Sequence, residues 1–261
     1  MHVCVLGAGI VGLATAWQLQ RMGHQVTVID QAGAGAGASG GNGAQLSYSY
    51  VQPLADPSIW LQLPKLLLAP DSPLKLRPQL DMHQWRWGMA FLAACNTRSS
   101  HETTRQLLTL AASSRVVFEQ MRSDLRPDCD FTASGKLVLY ASAAALAGAE
   151  RQMELQRGMD PGSGQRLATA QECVTIEPAL EHYRARIAGA IYTPGECAAD
   201  CFKVCTALAQ ALQARGVRFL PSSTVTGFDV RSQRVAAVRT SSGDVEADAF
   251  VMALGTASHA L

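Results

Sequence analysis

The sequence predicts an α/β fold, a parallel sheet interrupted by an α+β insertion, and three observations carry that prediction. A short apolar run, Val3 to Leu6, leads into glycines 7, 9 and 12 and then a helix-like stretch. A second apolar run, Val26 to Ile29, ends at Asp30. After a mixed middle, helical and strand patterns alternate again from residue 201.

Each element follows from its local chemistry. Val3 to Leu6 has no polar residue to turn towards water, as expected of a strand covered on both faces. The helix is expected over about Ile10 to Met22, with Val11, Ala14 and Leu19 facing the sheet and Gly23 stopping it. Between the two lies G-x-G-x-x-G. Gly7 permits a tight turn, Gly9 lets backbone approach a pyrophosphate, and Gly12 lets the helix sit close to the strand. Ala8, Ile10 and Val11 supply backbone N–H groups at the helix start, where the dipole favours an anion. Asp30, eighteen residues after Gly12, is placed to accept hydrogen bonds from an adenosine ribose and disfavours a 2′-phosphate. The motif predicts a dinucleotide site without separating NAD from FAD.

Residues 31 to 47 read QAGAGAGASGGNGAQLS, a composition that suits a slack linker. Their place after a buried strand, and the spaced polar residues Ser39, Asn42, Gln45 and Ser47, suit instead a loop lying along an extended ligand. The first part, Gly33 to Gly37, is expected to be slack, so that Gly35→Ser is harmless while Asn42→Leu weakens ligand retention. Prolines 53 and 57 deny a long helix next.

Composition narrows the function classes. A formal charge of +1 leaves no basic excess for nucleic acid. Strand-like sequence from His2 onward leaves no signal-peptide pattern, and the apolar runs around Trp60 to Ala69 and Gly88 to Ala94 fall short of a membrane span. Seven cysteines are an odd number, and reduced, packed thiols are expected. Cys197, Cys201 and Cys205 recur every four residues, but Asp200 reads as a helix N-cap that leaves Cys197 outside, so no metal site is expected. The six histidines show no ligand spacing.

In the middle, residues 101 to 125 carry Leu107, Leu108, Ala111, Val116, Val117 and Met121 at core-helix spacing. A strand or hairpin is expected around Gly135 and a helix over 143 to 157. Arg77, Arg86, Arg98 and Lys136 could meet a substrate carboxylate, but none earns a catalytic role. The last third predicts a helix over 201 to 215, a strand to Leu220, and a hairpin turning at Ser242 and Gly243.

The segments VCVLGAGIVGLATAWQLQRMGHQVTVID, SGGNGAQLSYSYVQPLADP and GECAADCFKVCTALAQAL resemble the FAD-dependent D-amino acid dehydrogenases, within the wider group of D-amino acid, glycine and sarcosine oxidases. That family carries a pattern close to T-S-x-A-N-x-G-Q-x-S after the acid; Ser39, Asn42, Gln45 and Ser47 match it, whereas Ala38 replaces the threonine and Gly43-Ala44 reverses the small pair. The resemblance implies a Rossmann-like FAD-binding domain of the glutathione reductase type. FAD contacts are implied at Val3, Gly7 to Gly12, Asp30, Ser39, Asn42 and Gln45. It also implies contacts at Val225, otherwise an ordinary strand residue, and at Gly255, which ends a second glycine motif.

Residues 1–50 and 195–261 are then two segments of the FAD domain, and 51–194 a substrate domain inserted between them. Because the chain stops six residues past Gly255, the resemblance implies an N-terminal portion, with catalytic side chains lying further on. The implied reaction is oxidative deamination of a D-amino acid, with electrons passed to a quinone-type acceptor. A glycine or sarcosine oxidase using oxygen, or a non-catalytic remnant, are the alternatives. A cytoplasmic location follows, with a peripheral contact on the inner membrane face as its variant; Trp60 and Trp85 are the contact candidates, although core packing is the expected role of both.

Overall fold

A computed structural model describes residues 1–49, 51, 53–61, 63, 81–159, 162 and 164–261; Arg77 and the 64–69 part of the apolar run lie outside the described residues. The chain begins with β1 (His2–Leu6), α1 (Ile10–Arg21), β2 (Gln25–Ile29) and β3 (Gln45–Leu46). Next come α2 (Met82–Ala94), α3 (Thr97–Leu125), β4 (Lys136–Tyr140), α4 (Ala143–Arg157), β5 (Arg166–Ala168), α5 (Ala170–Ile176), β6 (Gly189–Thr193) and β7 (Cys197–Ala198). The last part holds α6 (Cys201–Ala214), β8 (Arg218–Leu220), β9 (Val225–Arg231), β10 (Arg234–Thr240), β11 (Gly243–Glu246) and β12 (Ala249–Met252). Two compact units result. One comprises Met1–Leu46, Glu119–Ser134 and Cys197–Leu261, the other Ser47–Phe118 and Gly135–Glu196. Residues 119–134, counted with the insertion on sequence grounds, thus pack with the first unit.

In the first unit four strands form a parallel sheet in the order β12-β1-β2-β8. Alternate residues of β1 explain its unbroken apolar run. Cys4 and Leu6 join Ile29 and Val238 in a core that Phe228, Val225 and Leu254 pack against, and Val3 and Val5 are equally buried. The β9, β10 and β11 strands form a separate antiparallel sheet, and β3 pairs with β7.

The face of α1 differs from the sequence expectation. Gly12, Leu13, Ala16 and Trp17 are buried, whereas Val11 is 67% exposed. Trp17 decides the rotation: a fully buried indole removes far more apolar surface from water than a valine. The Arg215 guanidinium lies 4.0 Å above its ring, capping the indole from the α6 side.

In the second unit β4, β6 and β5 form an antiparallel sheet with β6 in the centre. Ala168, Cys173, Ile187 and Ala190 make its core, with Leu137 and Leu139 packed on. Ser142 caps α4 by accepting the Ala145 amide, and Thr169 and Glu172 form a reciprocal capping box on α5. Helix α3 buries Leu108 here and Met121 in its last turns, which belong to the first unit, but Val116 and Val117 are exposed, a correction to their expected core role. Trp60 and Trp85 are also more than half exposed rather than packed in a core, as are Met82, Trp87 and Met89 beside Trp85 on α2.

Candidate functional site

The carboxyl ends of β1, β2 and β12 bring the glycine motif, Asp30 and Ser39 together in the first unit. This is where open parallel sheets hold ligands. Two of the three motif glycines are required by backbone packing. Gly7 has φ +108°, donates its amide to Ile29 at 2.8 Å, and would place a Cβ 2.4 Å from the Ala253 carbonyl oxygen. A Cβ on Gly12 would lie 1.9 Å from the Gly7 carbonyl oxygen.

Gly9 has a different task. It is the extended N-cap residue of α1, with no side chain to cap the helix, and the first turn carries no acid. The nearest atom to a Cβ there would be Ser39 Oγ, at 3.2 Å. Ser39 Oγ accepts the Ile10 amide at 3.0 Å, so a hydroxyl from the glycine-rich loop stands where the helix start attracts an acceptor. Val11 lies open on the first turn, whereas Ala8 in the preceding turn is buried.

Asp30 is more than a ribose acceptor. Oδ2 accepts the Ala8 amide at 2.7 Å, and Oδ1 accepts those of Ala32 at 2.8 Å and Gly33 at 2.7 Å. A carboxylate offers about four acceptor positions, so room remains for one hydroxyl. The glycine-rich stretch is therefore tied down where slack was expected. Gly35 is buried, has φ +71°, and donates to the Ala8 carbonyl at 2.9 Å; a Cβ on it would lie 3.0 Å from Cys205 Cβ. Sequence reasoning missed this residue because alternating Gly and Ala carry no sign of which glycine is pinned.

The remaining expected residues are more dispersed. Asn42 is exposed and closes a local turn, donating to the Ser39 carbonyl and accepting the Ala44 amide. Gln45 lies on β3 opposite Ala198 and is exposed. Val225 opens β9 with its side chain against the core, and Gly255, at φ +58°, starts the final helical turn. Val3 is buried in β1 between Ala249 and Val26, near the end of the strand remote from Gly7.

Of the basic candidates in the second unit, Arg86 and Arg98 are exposed, whereas Lys136 is half-buried. Cys197 lies on β7 and Asp200 caps α6 by accepting the Lys203 amide, which separates Cys197 from Cys201 and Cys205. No group of three metal-ligating side chains occurs among the described residues. Burial pushes the Cys4 and Cys205 thiols up to about 12, far from the range of a reactive thiolate.

The donor set fits FAD: Gly9 puts no side chain over the N-terminus of α1, whose first turn carries no acid, and Asp30 keeps acceptor capacity beside it. Comparison with known proteins agrees. Residues 2–261 match the family described as FAD dependent oxidoreductase. The chain is 44% identical to D-amino acid dehydrogenase 2 of Ralstonia nicotianae, over 100% of its own length and 62% of that protein. It is 40% identical to D-amino acid dehydrogenase 2 of Pseudomonas aeruginosa, over 97% of its length and 60% of the relative. It thus spans about three fifths of these relatives. Among solved structures, glycine oxidase from Bacillus cereus shares the fold with a TM-score of 0.69 at 19% identity, covering 97% of this chain and 55% of that one. L-proline dehydrogenase from P. horikoshii does so with a TM-score of 0.70 at 20% identity, covering 100% and 54%.

Proposed function

Because the chain belongs to the FAD-dependent oxidoreductase family, we propose that it is the cofactor-holding part of a D-amino acid dehydrogenase. The observation that carries the reading is the N-terminus of α1 at Gly9, bare of side chain and of acid, set beside the Asp30 carboxylate at the ends of parallel strands. The names of the two relatives above supply the substrate class.

When bound, FAD supplies the two-electron oxidation of the substrate Cα–N bond, and water then releases a 2-oxo acid and ammonia. The protein's part is binding and orientation. The first amides of α1 hold the pyrophosphate, with the helix dipole favouring its charge. Asp30 offers its remaining acceptor position to a ribose hydroxyl while holding the turn at Ala8 and the loop at Ala32 and Gly33. Ser39 and Gln45 present polar groups along the glycine-rich loop, and in this reading the Val225 backbone would meet the adenine and Gly255 would lie close to the cofactor. Residues 1–50 and 195–261 hold the cofactor and 51–194 the substrate.

The reading extends to a quinone-type acceptor reached by a peripheral membrane contact. The exposed Met82, Trp85, Trp87 and Met89 on α2 support it, since aromatic and flexible apolar side chains suit the headgroup region. Among the described residues no helix is long and apolar enough to cross a membrane.

The test is dye reduction by the FAD-loaded protein that carries this chain, run with D-alanine, glycine and sarcosine, with and without oxygen. Dye reduction with D-alanine that does not need oxygen is expected. Peroxide formed from glycine or sarcosine, with D-alanine inert, overturns the reading.

A further inference from the structure

The second unit holds a cavity of about 610 Å³ whose described lining residues all belong to that unit and take no part in holding the cofactor. Helix α4 supplies one wall. Ala145, Gly148, Ala149, Gln152 and Gln156 recur there at three- and four-residue spacing along one face. Small side chains in the first half of the helix leave the room, and glutamines stand where a packed helix would turn leucines inward. Met153, Leu155 and Ile191 add an apolar lining. Size and composition are those of small-molecule sites, which are mostly apolar with a few placed polar groups.

Two buried glutamines at this cavity are treated differently. Gln165, 6% exposed, donates from Nε2 to Thr193 Oγ1 at 3.4 Å, and the Arg157 guanidinium donates to its carbonyl at 3.2 Å. Gln156 is 4% exposed, and its Nε2 is closed off from solvent with no hydrogen-bond partner among the described residues. A buried amide donor left in that state costs folding free energy that a leucine would avoid. The cavity also carries charges of both signs. Arg151 is exposed, makes no ion pair among the described residues, and lays its guanidinium back over Gly148, with Nη2 3.8 Å from where a Cβ there would stand. Asp56 accepts the Ser58 amide at 2.9 Å and the Ser100 hydroxyl at 3.3 Å, which leaves about two of a carboxylate's four acceptor positions.

We propose that this cavity is a binding site for a small zwitterion, an α-amino acid with an apolar side chain. The ligand carboxylate meets the Arg151 guanidinium and the Gln156 amide, its ammonium meets Asp56, and its side chain lies against Met153, Leu155 and Ile191. A plain carboxylic acid would set a like charge against Asp56, and a plain amine would set one against Arg151; the zwitterion answers both. The proposal stands on the second unit alone and does not depend on the cofactor.

The test is equilibrium binding by calorimetry on the protein that carries this chain, without oxygen or dye so that turnover adds no heat. The probes are L-leucine, D-leucine, isocaproate, which lacks the amine, and isoamylamine, which lacks the carboxylate. Leucine of at least one hand is expected to bind, and each truncated probe at least about tenfold more weakly. Gln156→Leu is expected to weaken leucine binding about tenfold and, by removing the unpartnered buried amide, to raise the melting temperature without ligand. A merely structural glutamine would not show that opposition. Arg151→Gln, at an exposed position, is expected to weaken leucine binding about tenfold with an unchanged melting temperature, and keeps the test informative if leucine at 156 disturbs folding. Binding of neither enantiomer overturns the proposal, as does leucine held equally well by wild type and both variants. Isocaproate bound as tightly as leucine overturns the zwitterion and the part given to Asp56.

Discussion

The Asp30 carboxylate accepts the Ala8 amide at 2.7 Å, which ties the end of β2 to the glycine turn after β1. Because the same group also accepts the Ala32 and Gly33 amides, Asp30→Ala strips three backbone donors at once. A loss of folding stability on the order of 3 kcal/mol is expected, alongside loss of FAD retention. Asp30→Asn keeps one acceptor oxygen and should fall between the two. Urea denaturation and flavin content of the three proteins check this, and an alanine variant as stable as wild type refutes it.

The glycines divide into those that meet backbone, those that meet side chains and those that meet nothing. Gly12→Ala would drive a Cβ into the Gly7 carbonyl, which neither chain segment can yield without moving the helix off the strand. A loss exceeding about 3 kcal/mol, or no soluble protein, is expected. Gly35→Ala must hold a left-handed φ and press on Cys205, at a cost of about 1–3 kcal/mol. Gly37→Ala meets nothing within 4 Å and is expected to be neutral, or stabilising by about 0.4–1 kcal/mol through the unfolded chain. Thermal melts of the three variants rank them.

The buried thiols give a readout that needs no cofactor. Cys4 and Cys205 are held near 12 by burial, against an ordinary value of 9.0, so they stay protonated and shielded. At pH 8 a thiol reagent should modify Cys201, the one partly exposed cysteine of the seven, and reach Cys4 and Cys205 only after denaturant is added. The folded value is raised, so the associated stability is complete below pH 9.0 and is lost as pH rises towards 12. Cys205→Ala should therefore lose less stability than wild type between pH 8 and pH 11. Equal losses count against this account.

What the sequence made legible was local. The glycine spacing, the apolar strands, Asp30 at the strand end and the Asp200 cap each depend on neighbours within a few residues, and each stands where local chemistry puts it. The rotation of α1 depends on what Trp17 and Arg215 meet in space, and helical spacing alone offered Val11 as readily as Leu13. Gly35 sits among look-alike glycines, and only the Ala8 carbonyl and Cys205 single it out. Glu196 is buried and accepts the amide of Tyr48, 148 residues away, so nothing in the run GECAAD marks it as an anchor.

Helix α5 offers a pH-dependent element whose sign can be worked out. The Glu172 carboxyl is held below its ordinary value of 4.5, first by the hydrogen bonds from the Thr169 backbone and hydroxyl and then by the Arg166 guanidinium. A lowered value means that the stabilising contribution is present above the ordinary glutamate range and disappears as pH falls through the folded value. Glu172 is solvent-exposed, so the effect is expected in the first turn of α5 rather than in the melting of the whole protein. Amide exchange at Thr169 and Glu172, corrected for its intrinsic pH dependence, should accelerate on acidification below pH 4.5. Thr169→Ala, which removes the hydroxyl half of the reciprocal box but keeps the residue 169 amide on the Glu172 carboxylate, should exchange faster at neutral pH and keep a smaller acid-induced step. Glu172→Gln keeps the side chain's length without the charge, and should abolish the acid-induced step. A glutamine variant that still shows the step would place its origin in another group.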